Sequence, residues 1–146
     1  MSPDAAAGFR HFHDQLATLK QHLLDMSEKS ESLVELAVDA LLTQDQAEAE
    51  AGVAGGREID ALEVEVGDEG GGLLALQQPM ARDLRFIISA IKISSDLERV
   101  GDHGVNIAQS ALRLIQQRAD ITPDPEIEDM ARRARKMLSD ALDAFI

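Results

Sequence analysis

LLALQQPMARDLRFIISAIKISSDLERVGDHGVNIAQSALRLI, residues 73–115, is the stretch that decides the fold. After Pro79 it runs without another proline until Pro123. Its seam reads Leu84, Ile87, Ile91, Ser94, Leu97, Gly101, Val105, Ala108, Leu112 and Ile115. Steps of three and four are the spacing of one stripe on an amphipathic helix. The reading is a long helix from about Met80 to Arg118, with Pro79 in its first turn, where the missing N–H is harmless. Ser94, Gly101 and Ala108 would let a neighbouring backbone come close.

Working outward, residues 9–42 repeat that pattern through Phe12, Leu16, Leu19, Leu23, Met26, Leu33, Ala37 and Leu41. No proline lies inside, and at 1.5 Å per residue the helix would be about 50 Å long. Between the two, Ala47, Ala51, Ile59, Leu62, Val66, Leu73 and Leu76 suggest a further helix. Seven of the ten glycines also lie there, each costing up to about 1 kcal/mol of helix stability relative to Ala. As one helix it would need tertiary packing to hold it together, and fraying or a break would fall here.

Downstream, ITPDPE at 121–126 holds two of the four prolines. Beyond it, Ile127, Met130, Ala134, Leu138, Ala141 and Phe145 start a fourth amphipathic helix. Asp39-Ala40-Leu41 matches Asp140-Ala141-Leu142 at an offset of 101 residues, so this helix reads as a repeat of the first. The fold class is all-α: an elongated antiparallel three-helix bundle over residues 1–120, a linker at 121–125, and a helix at 126–146. Three helices already close a bundle. The apolar face of the fourth therefore needs the same bundle, another chain or a swapped arrangement; the last two would make a homo-oligomer, which is the expectation.

Composition narrows the function. A formal charge of -13 is concentrated in residues 1–75, which carry 16 acids against 4 Lys or Arg. Such a half repels phosphate backbones, so direct nucleic-acid binding is disfavoured. With no cysteine, thiolate metal sites, redox pairs and cysteine nucleophiles are excluded. No apolar run approaches the roughly 20 residues of a membrane span, and MSPDAAAGFRHFHD lacks a secretory core. These features imply a cytoplasmic protein without membrane insertion.

The candidate chemistry is carboxylate. Glu98 and Asp102 stand four apart, one above the other on the flank of the long helix's seam. Three readings fit: a solvated flank with Arg99 and Lys92 nearby, a metal site, or acid/base chemistry. A metal would need ligands from a second helix, and Asp60 and Glu63 are the best donors, with Glu65 and Glu69 as another pair. All-oxygen ligation suits Mg, Mn or Fe better than a structural Zn. His103 has a side chain about 100° away from Asp102. His11, His13 and His22 read as solvated. No Walker or Gly-x-Gly-x-x-Gly loop is present. Asp83 in a first turn complements the helix dipole, and Arg85 reads as a surface residue or a partner contact.

Residues 73–85, LLALQQPMARDLR, and 96–103, DLERVGDH, resemble the signature of the PhoU family. Residues 36–42 are similar to the end of that family's first helix, and the resemblance spans about residues 9–146. It implies a first three-helix bundle at 1–120 and the opening helix of an incomplete second repeat at 126–146. It also implies a regulator rather than an enzyme. Such a regulator restrains the phosphate ABC transporter and the phosphate sensor kinase when phosphate is plentiful. Asp83, Arg85 and Arg99 are the partner-binding candidates within those motifs. Some members hold Fe, Zn or other metals through Glu/Asp-x-x-x-Asp pairs on the second and third helices. The third-helix pair is Glu98 and Asp102; the second-helix pair maps to Glu63 and Gly67, one carboxylate short. Related domains accompany other ion transporters, which leaves regulation of a different ion as the alternative. A carboxylate metal-dependent hydrolase is a third reading, without a recognisable nucleophile.

Overall fold

The computed structural model describes residues 2–146. Five helices follow one another: α1 (Pro3–Thr43), α2 (Gln46–Ala54), α3 (Gly56–Leu76), α4 (Ala81–Gln116) and α5 (Glu126–Phe145). There is no strand among the described residues.

Local chemistry sets the ends. Ser2 accepts the Ala5 N–H through its side chain, with Pro3 in the first turn of α1. Gln44 closes α1 in the left-handed region at φ 54°. Asp45 then accepts the Glu48 N–H at 3.1 Å and starts α2. The glycine-rich segment breaks at Gly55, so the expected second helix is two helices. Pro79 lies in the connection to α4 rather than in its first turn, because the helix begins at Ala81.

The α2–α3 arm runs antiparallel to α4, and α1 runs parallel to it. Ser30 Oγ donates to the Leu97 carbonyl at 3.1 Å, and Gly104 sits against Leu33 and Val34, which fixes the α1–α4 register. Gly101 faces Ile59, Gly56 faces Val105 and Gly70 faces Ile87 and Ile91, which fixes α3 against α4. The core between them holds Leu19, Leu23, Met26, Ile59, Val66, Ile87 and Leu97, all essentially inaccessible. Each such side chain contributes about 1.5–3 kcal/mol of hydrophobic stabilisation. A smaller cluster of Ala40, Ala49 and Ala111 joins α1, α2 and α4 at the other end.

Small residues permit that closeness. A Cβ added to Gly52 would stand 2.7 Å from the Cβ of Ala108, so only glycine lets α2 reach α4 there. Ser94, Gly101 and Ala108 are all buried on the seam, as their size implied.

The fourth amphipathic segment, α5, folds back on its own chain and runs antiparallel to α1. Arg135 pairs with Glu35 at 3.1 Å, Leu142 is buried, and Phe145 stacks on Phe86 at 5.1 Å. One face of α5 is thus covered by α1 and α4 of the same chain. Met130 and Met137, on its other side, are exposed.

Candidate metal and docking sites

The α3–α4 register places Asp60, one residue past Ile59, between two turns of α4. Oxygens of Asp60, Glu98 and Asp102 all lie within 4.8 Å of one another. Asp60 and Asp102 are exposed and Glu98 is half-buried. Its carboxyl is pushed up to about 7 from 4.5. Loss of hydration is the largest cause, followed by the hydrogen bond with Asp102 and the charges of Asp102, Glu63 and Asp60. Three carboxylates crowded this way retain a proton unless a cation takes its place.

Arg99, 69% exposed, leans to Asp96 at 3.7 Å. Among the described residues no Lys or Arg pairs with Asp60, Glu98 or Asp102. That weakens the reading of a solvated flank neutralised by Arg99 or Lys92. Glu63 lies outside the triad, one turn along α3, yet close enough for its charge to act on Glu98. Glu69 is turned to α1, where His22 Nδ1 lies 2.9 Å from its carboxylate. His22, expected to be solvated, is half-buried by this contact. The reason is tertiary: α3 covers that side of α1. His103 faces the α5 side with Val100 and Ile107, away from the triad. The donor set is three carboxylates with a fourth nearby, which fits a hard or borderline divalent cation.

A second constellation lies at the start of α4. Asp83 is half-buried and Arg85 exposed. Both line a cavity of about 530 Å³ with Lys20, Arg82, Phe86 and Phe145. Lys20 Nζ stands 5.0 Å from the centre of the Phe86 ring, a cation–π arrangement. Reading the sequence missed Lys20 and Arg82. The i,i+3 spacing of Arg82 and Arg85 was the available signal for one of them; only the fold brings Lys20 alongside.

The PhoU domain model matches residues 23–111, which include both motifs and the carboxylate triad. The chain belongs to the PhoU family. A phosphate-specific transport system accessory protein PhoU homolog of Clostridium acetobutylicum is 36% identical over 137 residues, covering 92% of this chain and 62% of that protein. The Pseudomonas aeruginosa homolog is 34% identical over 136 residues, covering 93% and 56%. The crystal structure of PhoU from Pseudomonas aeruginosa superposes with a TM-score of 0.84 at 34% identity, over 92% of this chain and 64% of that one. The chain therefore spans about three fifths of the length of these relatives. At that level of likeness the helical bundle is a PhoU fold.

Proposed function

We propose that this PhoU-family chain regulates phosphate uptake and phosphate-starvation signalling by binding the phosphate ABC transporter ATPase and the phosphate sensor kinase in the cytoplasm. One observation carries the reading. Asp83 and Arg85, in the family-like motif, stand at an accessible end of the bundle beside Arg82 and Lys20. Relatives over this region are named accessory proteins of the phosphate-specific transport system. Cations lining a shallow cavity suit an acidic partner surface, while the acidic remainder of the molecule supplies orientation. Among the described residues no helix is long and apolar enough to cross a membrane. Residues 126–146 are read as the first helix of a second PhoU-like repeat.

The carboxylate triad adds a metal to this reading. Asp60, Glu98 and Asp102 would hold Fe, Zn, Mn or Mg, with Glu63 as the adjacent charge, and the ion would crosslink α3 to α4. It is cast as structural and regulatory, and the chain as a non-enzyme. Regulation of a different ion transporter is the alternative, favoured if the chain binds metal and ignores both phosphate-system proteins.

Binding to the purified ATPase and the kinase cytoplasmic region, measured by interferometry, tests the docking. Asp83→Ala with Arg85→Ala should weaken binding by at least about tenfold while helical content stays unchanged. Binding to neither protein, or equal binding by the double variant, would sink this reading.

A further inference from the structure

The cavity of about 530 Å³ at the start of α4 runs against the charge of the whole chain. The formal charge is -13, yet Lys20, Arg82 and Arg85 all line this one space, with Asp83 as its only acidic side chain. Among the described residues none of these three cations forms an ion pair, even with Asp83 beside them. Lys20 lies over the Phe86 ring instead. Ser89, half-buried, adds a hydroxyl to the same lining. The 36-residue α4 begins here with no side chain capping its first turn, so its positive dipole end reinforces the cations. Lys20, Arg82, Arg85 and Ser89 all belong to α1 and α4, so the polar side of the cavity does not depend on α5.

We infer that this cavity binds a small anion carrying two or more linked phosphate groups, either a nucleoside triphosphate or a bare inorganic phosphate chain. Charge selects the class. Three cations against one carboxylate leave a surplus of two positive charges, which a singly charged anion does not satisfy and a polyphosphate does. Arg82 and Arg85 are one helical turn apart, so their guanidinium forks can grip neighbouring phosphates. Lys20 reaches across from α1 as a compact point charge. Size agrees with charge. A single phosphate fills the space of a few water molecules, whereas this volume falls in the range of sites that enclose a whole small ligand. The inference deepens the docking reading and rests on it for its consequence, since a polyphosphate seated here would displace an acidic partner. The binding itself requires neither that partner nor the metal triad.

Isothermal titration calorimetry on the full chain tests it, with tripolyphosphate and ATP as probes and EDTA present so that no metal bridges them to the triad. Both should bind, and orthophosphate should bind at least about tenfold more weakly. Arg82→Gln with Arg85→Gln, and separately Lys20→Gln, should each weaken tripolyphosphate binding by at least about tenfold while circular dichroism keeps the wild-type helical content. Arg113→Gln, in the last turn of α4, should leave it unchanged. Tighter binding of ATP than of tripolyphosphate would assign the site to a nucleotide, and equal binding would make the phosphates sufficient; both outcomes support it. No binding at millimolar anion, orthophosphate binding as tightly as tripolyphosphate, or full binding by the double variant would overturn the inference. If the anion binds while neither phosphate-system protein does, the docking reading falls and this one stands; partner binding without anion binding gives the reverse.

Discussion

At Glu98 the chemistry of one residue depends on three neighbours. Its carboxyl titrates near 7 in the folded chain against an ordinary 4.5, so the folded state holds a proton that the unfolded state has released. That contribution to stability is complete below about 4.5 and is lost as pH rises through about 7. Solvent access on one side limits it to about 1 kcal/mol. The metal-free protein should therefore unfold at a lower temperature at pH 8 than at pH 5, and Glu98→Gln should flatten that slope. Adding Mn²⁺ should restore stability at the higher pH with release of protons. Elemental analysis after soaking should find metal in the wild type and none in Glu98→Ala with Asp102→Ala; equal occupancy would remove the site. The Glu98–Asp102 pair was legible in the sequence because four residues are one helical turn. Asp60 was legible only as a donor, since spacing along one helix says nothing about the register of the next.

Among the helices, the glycines of α2 and α3 separate into two kinds that composition treats alike. Gly52 is a contact point, with Ala108 at 2.7 Å from where a Cβ would be. Gly67 and Gly71 have nothing within 4 Å of that position. Gly52→Ala should destabilise by about 1–3 kcal/mol through overpacking. Gly67→Ala and Gly71→Ala should each stabilise by about 0.5–1 kcal/mol, because a helix interior disfavours glycine. Chemical denaturation reads both signs, and a loss at Gly71 would contradict the open space described for it. The hydrophobic period located α1 and α4 to within several residues, and the glycine content marked where the arm breaks. Which glycines serve packing depends on which residue of α4 each one meets.

For the molecule as a whole, the open question in the sequence was where its last helix goes. Leu142, Phe145 and Arg135 anchor α5 to α1 and α4. Replacing Leu142 and Phe145 together by Ala should release its C-terminal half without unfolding the bundle. Hydrogen exchange should then accelerate in residues 136–145 and remain slow at Leu23 and Leu97. Equal acceleration throughout would mean that α5 is part of one cooperative unit with the core.

The sequence by itself determined the helical class, the apolar stripes, the carboxylate pair on α4 and the family-like motifs. Each of these is a local pattern, written in residues three, four or seven apart. The tertiary structure alone decided that Asp60 joins Glu98 and Asp102, that Glu69 goes to His22, and that Lys20 meets Phe86. It also decided which stripe of α5 is covered. These outcomes depend on the sliding and rotation of helices against one another, set by the combined packing of many side chains rather than by any single segment.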